Sequence, residues 1–186
     1  IMMQGVGFVL LAGGQSRRMG GGDKNQLALG VKTVMQHVLD RVERAGAPTA
    51  INANGDPARY ADYGLPVIGD VIEGYAGPLA GILTGLEWLA AQHPHITHMV
   101  SLATDAPFLP VDLAPRLYQR LESDADIVQA QSNGQRHPVF AIWPVALAAD
   151  LRRAVCDEGV RKIDHFTARH ACDVVPFFGT PDPFLN

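Results

Sequence analysis

Apolar and polar positions along the chain predict strands that alternate with helices. The run from Val6 to Leu11 is continuously apolar, which is typical of a strand buried on both faces of a parallel sheet. From 33 to 45 the apolar residues recur at helical spacing, and Gly46 follows, with Arg41 and Arg44 in the last turns. This opening therefore predicts a strand, a polar connection and a crossover helix ending near Ala45.

The same alternation continues to residue 143. We predict strands over 48–52, 65–68, 98–102, 127–130 and 139–143, helices opening at Gly77-Pro78 and at Asp112 as N-cap, and a turn at Ser132-Asn133-Gly134. Strands alternating with helices imply a mostly parallel α/β sheet with right-handed crossovers. Ligands of such sheets gather beyond the carboxyl ends of the strands.

Composition narrows the class of protein. The chain has 186 residues, of which 47% are hydrophobic and 18% charged, so we expect one domain spanning 1–186. A net charge of −4 provides no positive field for nucleic acid, and the first apolar run is far shorter than the roughly 20 residues of a membrane span. Cys156 and Cys172 show no disulfide or zinc spacing, which fits a cytoplasmic protein.

A glycine-rich segment, residues 11–24, follows the first strand directly. It holds five glycines, two arginines and Lys24, and glycine lets backbone N–H groups converge on a phosphate while the cations neutralise it. Neither GxGxxG nor the Walker sequence is present, which argues against a dinucleotide dehydrogenase and a P-loop ATPase. A flexible basic turn is the alternative. Of Arg17 and Arg18, which spacing does not separate, Arg18 is the better candidate for contacting phosphate.

Three segments carry a family resemblance. Residues 11–24, Gly77-Pro78-Leu79-Ala80-Gly81 and Asp105-Ala106-Pro107-Phe108 closely resemble, in order and spacing, motifs of the molybdenum cofactor guanylyltransferase family. Related cytidylyl enzymes usually carry LAAG where this chain has Leu11-Ala12-Gly13-Gly14, and that difference favours GTP. The resemblance implies a Rossmann-like three-layer sandwich similar to nucleotide-diphospho-sugar transferases. It also implies GTP and Mo-molybdopterin as substrates, with Mg²⁺ as cofactor.

The resemblance also implies roles for individual residues. The nucleotide would be held by Leu11, Ala12, Gly13 and Gly14, its phosphates by Lys24, and further contacts would come from Asn52, Asp70 and Gly81. Asp105 matches the metal-binding aspartate and would hold Mg²⁺, while Lys24 and Arg18 would stabilise the departing pyrophosphate.

Several of these positions have ordinary structural alternatives. Asp105 could be a helix cap or a turn residue before Pro107, Asp70 has the same ambiguity, and Asn52 could be a turn former because Asn54-Gly55 follows it. His137 could begin a strand or contact substrate. His93, His95 and His98 show no recognisable metal-ligand spacing and are expected at the surface.

The acceptor side is less well defined by the sequence. Arg136-His137-Pro138 and residues 159–162 resemble family segments where the pterin phosphate would approach, and we expect the family's final helix, beyond Asn186, to be missing or trimmed. Transient contact with molybdoenzyme apoproteins or their chaperones is expected. Two functions remain as alternatives: another small-molecule nucleotidyltransferase, cytidylyl or sugar-phosphate, and a non-catalytic nucleotide or molybdenum cofactor carrier.

Overall fold

The computed structural model describes residues 3–13, 28–29, 32–42, 44, 46–74 and 77–185. The strands are β1 (Val6–Leu11), β2 (Ala28–Leu29), β3 (Lys32–Thr33), β4 (Thr49–Asn52), β5 (Val67–Ile68), β6 (His98–Ala103), β7 (Ile127–Ser132), β8 (Gln135–Pro144) and β9 (Cys172–Phe177). The helices are α1 (Val34–Arg41), α2 (Pro78–Gln92), α3 (Leu113–Arg120), α4 (Ala148–Cys156) and α5 (Ile163–Thr167), with a 3-10 helix at Pro57–Tyr63 and single 3-10 turns at Leu121–Ser123 and Val145–Leu147. None of the helices in these ranges is long and apolar enough to cross a membrane.

Seven strands form one sheet in the order β5-β4-β1-β6-β8-β7-β9, and β2 pairs with β3 in a separate antiparallel ribbon. Within the large sheet, β8 runs antiparallel to both neighbours, whereas the other adjacent strands are parallel. The carboxyl ends of β5, β4, β1 and β6 therefore lie at one edge, which is where ligands bind in open α/β sheets.

Two hydrophobic cores cover the two faces of this sheet. In β1, Phe8 and Leu10 pack with α1 and α3 on one face, and Val9 packs with α2 and α4 on the other. The first strand is continuously apolar because it is buried from both sides. The predicted three-layer α/β architecture is confirmed.

Helix α1 is shorter than its apolar pattern predicts. It ends at Arg41, not at Ala45, because Val42 adopts an extended backbone (φ −77°, ψ 124°) and is only 8% exposed, packed in the core. A β-branched side chain fits an extended backbone well, so burial of Val42 outweighs the helical periodicity. Gly46 has the left-handed φ of +71° expected of a helix end, but it lies in the connection that follows.

Helix α3 starts where the sequence predicts it, but a different interaction from the predicted side-chain cap holds its first turn. Asp112 occupies the N-cap position, yet its side chain makes no capping hydrogen bond. Instead, the backbone N–H of Leu113 donates to the Pro110 carbonyl at 3.2 Å, and the N–H of Arg116 donates to the Asp112 carbonyl at 3.1 Å. A backbone turn therefore starts this helix.

The β7–β8 hairpin confirms the predicted turn and extends the predicted strand. Asn133 and Gly134 both have positive φ, 50° and 74°, as a two-residue turn of the favoured hairpin type requires. Strand β8 begins at Gln135, before the predicted 139, and its pairing shifts at Gln129/Ala130. The shift leaves Pro138 outside the regular ladder, where its missing N–H costs no strand hydrogen bond.

Candidate active site

One row of residues crosses the carboxyl end of the sheet. Backbone pairing aligns Ile68 of β5 with Asn52 of β4, Asn52 with Leu11 of β1, and Leu11 with Ala103 of β6. Four positions lie two residues beyond this row, one after each strand: Asp70, Asn54, Gly13 and Asp105. The register of four adjacent strands thus brings residues that are distant in sequence to one edge.

A network of two amides holds the carboxylate of Asp70. Asn52, only 5% exposed, donates from Nδ2 to Asp70 Oδ1 at 2.9 Å and to the Ile68 carbonyl at 3.2 Å. Asn54 donates from Nδ2 to Asp70 Oδ2 at 3.0 Å, while its own Oδ1 accepts from the Asp70 backbone N–H at 2.8 Å. Asn52 therefore lies in a strand and orients Asp70, so the alternative of Asn52 as a turn former is wrong.

Asn54 was missed as a site residue. The sequence reads Asn54-Gly55 as a turn, and Gly55 does adopt a left-handed φ of +88°. The side chain of Asn54 nevertheless points back to Asp70, which lies on the neighbouring strand's extension. Only the pairing of β4 with β5 reveals this, since the two residues are 16 positions apart.

Helix α2 packs directly on the row at Gly81. A Cβ at this position would collide with Asn52 Oδ1 and would lie 2.7 Å from Leu11 Cδ2. Glycine is thus required at position 81 because a Cβ would prevent the close approach of α2 to Asn52 and Leu11, and not because the backbone adopts a conformation that only glycine tolerates. The structure therefore brings together Leu11, Asn52 and Gly81, three positions that the resemblance assigned to the nucleotide.

Thr84 ties the segment after Asp70 to the same helix. Its hydroxyl donates to the Ala80 carbonyl at 2.7 Å and accepts from the Val71 backbone N–H at 3.0 Å, and the residue is 1% exposed. A threonine that bonds back within a helix carries no sequence signal of this contact. The result is that Asp70 is fixed from both sides, by the two amides and by the chain that follows it.

Asp105 lies half-buried in the connection after β6. The preceding Thr104 is 3% exposed and donates from Oγ1 to the Leu11 carbonyl at 3.3 Å. Because α3 begins only at Leu113, the helix-cap alternative for Asp105 is wrong. Its role as a metal ligand stays a prediction.

The described residues contain no preformed cluster of metal-binding side chains. Nowhere in these ranges do three or more His, Cys, Asp or Glu side chains cluster so that they could hold a metal ion. A single carboxylate fits Mg²⁺, which keeps several waters and is usually bound by one or two carboxylates together with substrate phosphates. Gly14, Arg18 and Lys24 lie outside the described residues. Ala12 is buried and Gly13 is exposed.

A second polar cluster lies at the end of the β7–β8 hairpin. Ser132 Oγ lies 2.6 Å from His137 Nε2 and donates to the Asp182 carboxylate at 2.8 Å. Asp182 also accepts from Asn133 Nδ2 and from the backbone N–H of Phe184, both at 2.9 Å. The ring of His137 stacks on that of Phe184 with centroids 4.6 Å apart.

This cluster does not have the arrangement of a nucleophilic triad. The one hydroxyl proton of Ser132 is directed to Asp182, so the hydroxyl accepts from His137 Nε2–H and the imidazole is not its base. Desolvation lowers the pKa of His137, and nearby Asp182 partly offsets this. The Phe184 N–H lowers the pKa of Asp182. The cluster fastens the segment after β9 to the hairpin, a contact that sequence reasoning missed.

The fold is that of an open α/β protein, a class in which ligands bind at the carboxyl ends of the parallel strands. Residues 8–172 match the MobA-like NTP transferase domain, and the chain belongs to this family of nucleotidyltransferases. The chain is 49% identical to the molybdenum cofactor guanylyltransferase of Rhodopseudomonas palustris (strain BisB5), covering 96% of this chain and 86% of that protein. It is 45% identical to the same-named protein of Mesorhizobium japonicum, with coverage of 100% and 91%.

Solved structures agree on the fold. The molybdopterin-guanine dinucleotide biosynthesis protein A of Archaeoglobus fulgidus superposes with a TM-score of 0.70 at 24% identity, covering 91% of this chain and 82% of that one. A cytidylyltransferase of Leptospira borgpetersenii superposes with a TM-score of 0.61 at 18% identity, covering 93% and 76%. The fold is therefore shared by nucleotidyltransferases whose names indicate different nucleotides.

Proposed function

We propose that this chain transfers GMP from GTP to Mo-molybdopterin, releasing pyrophosphate and forming the guanine dinucleotide cofactor. The observation that carries the proposal is the alignment of the ends of β5, β4, β1 and β6, which brings Asn52 and the following Asp70, Gly13 and Asp105 to one edge of the sheet. It is supported by relatives at 45–49% identity that bear the name molybdenum cofactor guanylyltransferase. Contact with molybdoenzyme apoproteins or their chaperones stays a prediction.

The nucleotide would lie across the end of β1. The family resemblance assigns Leu11 and Gly81 to nucleotide binding, and the two residues lie side by side because Gly81 has no Cβ to separate α2 from the end of β1. The oriented carboxylate of Asp70 can accept hydrogen bonds from donors on the nucleotide, and its two amide partners keep its position before the ligand arrives. A preformed acceptor avoids the entropic cost of ordering a side chain on binding.

The reaction brings two anions together, so the protein must position them and neutralise charge. An oxygen of the acceptor's phosphate attacks the α-phosphorus of GTP, a new P–O bond forms, and the bond to the bridging oxygen breaks with release of pyrophosphate. Bound Mg²⁺, held by Asp105, would supply charge neutralisation on the phosphate oxygens. Lys24 and Arg18 would stabilise the charge on the leaving group.

Nucleotide preference is tested by thermal shift with GTP, CTP, UTP and ATP in the presence of Mg²⁺. A ligand that binds the folded state raises apparent stability by mass action, so GTP is expected to raise Tm most. A preference for CTP would instead support the cytidylyl alternative and overturn the guanylyl proposal. Binding of GTP without pyrophosphate release, in the presence of the pterin acceptor, would support the carrier alternative.

The role of Asp105 is tested by Asp105→Asn with Asp112→Asn as the matched control. Both replacements remove one carboxylate from the connection between β6 and α3, and Asp112 is exposed and makes no capping bond. We expect Asp105→Asn to lower turnover at limiting Mg²⁺ by on the order of 100-fold, since metal neutralisation of transferring phosphate contributes several kcal/mol. Full turnover of Asp105→Asn at limiting Mg²⁺ would remove the metal role.

A further inference from the structure

Two hydrogen bonds hold the connection that carries Asp105, one at each side. Before Asp105, Thr104 Oγ1 donates to the Leu11 carbonyl at 3.3 Å. After it, Arg41 Nε donates to the Leu109 carbonyl at 2.6 Å. Leu11 ends β1, and Arg41 lies in the last turn of α1. In the chain, β1 directly precedes the glycine-rich segment, and α1 follows that segment after β2 and β3.

The connection between the two bonds is short and well packed. Ala106 and Leu109 are both fully buried, and the Leu109 N–H closes a turn by donating to the Ala106 carbonyl at 3.2 Å. Six residues from 104 to 109 are therefore fixed at both ends and in the middle. A carboxylate on such a segment has little freedom to move relative to β1 and α1.

We propose that Thr104 and Arg41 are positioning residues that set the place of the Asp105 carboxylate relative to β1 and α1. Neither side chain is assigned to contact with nucleotide or metal; each acts through the backbone of the connection. The proposal rests on the proposed function, because it assumes that Asp105 serves the Mg²⁺-nucleotide complex. Metal sites tolerate little misplacement of a ligand, so loosening either bond should weaken use of Mg²⁺ more than it weakens the fold.

The experiment compares hydroxyl removal with hydroxyl retention at Thr104. Thr104→Val removes the donor at similar volume, and Thr104→Ser keeps it. GTP binding is measured by calorimetry over a Mg²⁺ series without the pterin acceptor, so that no turnover occurs. For Thr104→Val we expect the Mg²⁺ concentration giving half-maximal enhancement of GTP binding to rise about 3- to 10-fold, the effect of losing one hydrogen bond. Thr104→Ser keeps the hydroxyl donor and is expected to have a Mg²⁺ midpoint close to that of the unmodified protein.

Arg41 provides an independent arm of the same test. Arg41→Gln removes the Nε–H, and Arg41→Lys keeps a cation of similar reach. Arg153→Gln is the matched control, because Arg153 also lies in the last turn of a helix and makes a 3.4 Å surface pair with Asp150, far from Asp105 in the chain. We expect Arg41→Gln to raise the Mg²⁺ requirement about 3- to 10-fold, Arg41→Lys to raise it less, and Arg153→Gln to leave it unchanged.

The outcomes separate this proposal from the proposed function. If the unmodified protein binds GTP with no dependence on Mg²⁺, the proposed function fails first. If it shows that dependence while Thr104→Val and Arg41→Gln keep the same Mg²⁺ midpoint, the positioning role is overturned, even where urea unfolding shows a loss of stability. If the variants at one of the two positions do not fold, those at the other position decide the test, since the Thr104 and Arg41 hydrogen bonds involve different elements of the fold.

Discussion

Replacing Gly81 with alanine is expected to disturb the nucleotide side of the site through Asn52. The added methyl group would collide with Asn52 Oδ1 and lie 2.7 Å from Leu11 Cδ2, so either the helix or the asparagine must move. Overpacking of this kind costs about 1–3 kcal/mol, whereas alanine gains about 1 kcal/mol over glycine in helix propensity. We therefore expect a net loss of about 0–2 kcal/mol in the free energy of unfolding.

The same change should weaken nucleotide binding. If Asn52 moves, its hydrogen bonds to Asp70 and to the Ile68 carbonyl are strained or lost, and each contributes about 0.5–1.5 kcal/mol. A loss of 1.4 kcal/mol corresponds to a tenfold weaker Kd, so GTP affinity should fall about 3- to 10-fold. Urea unfolding gives the stability, and calorimetric titration with GTP and Mg²⁺ gives the affinity.

Gly85→Ala is the matched control one turn further along α2. Its Cβ would lie 2.7 Å from Met99 Sδ and 2.8 Å from Val9 Cβ, so it also overpacks the core but does not touch Asn52. We expect a comparable loss of stability with unchanged GTP affinity. Equal losses of affinity in the two variants, or an unaffected affinity in Gly81→Ala, would refute the coupling through Asn52.

Three further predictions concern residues outside the row of strand ends that carries the candidate active site. Gln129 is fully buried, and neither its side-chain amide nitrogen nor its oxygen has a hydrogen-bond partner among the described residues. Gln129→Met should therefore raise the free energy of unfolding, measured by urea titration, by about 1–3 kcal/mol. A decrease would mean that the amide is hydrogen-bonded through water. Burial lowers the pKa of both His98 and His137, so the neutral imidazoles stabilise the fold above their ordinary pKa near 6.5. That stability should be lost as the pH falls from about 7 through the folded-state pKa values, seen as a lower Tm, and an unchanged Tm would contradict the assignment. Asp182→Asn should speed amide exchange of Phe184, whose N–H donates to that carboxylate, and unchanged exchange would show that the segment after β9 is held without it.

Local patterns predicted much of this fold. The continuous apolar run of β1, the glycine at the β7–β8 turn and the Gly77-Pro78 helix start depend on neighbours along the chain, so they can be recognised in the sequence. Where long-range packing competed with local preference, the prediction failed. Val42 fits the helical spacing of apolar residues, yet it lies outside α1, because an extended backbone at this position buries its side chain in the core.

The residues of the candidate site likewise fall into those that the sequence indicates and those that only the structure reveals. The sequence alone pointed to Asn52, Asp70 and Asp105, since each follows or ends an apolar run and matches a family motif. It did not show that Asn54 holds Asp70, that Thr84 bonds to Val71, or that Arg41 reaches the connection after β6.

Residue types and their local spacing determined the strands, the helices and the family of this protein, because those properties act over a few neighbouring positions. Strand order and register decided which polar side chains meet. Hydrogen bonds such as Arg41 to Leu109 join residues 68 positions apart, and no local pattern encodes such a distance. Only the packing of the sheet against its helices brings these partners within reach of each other.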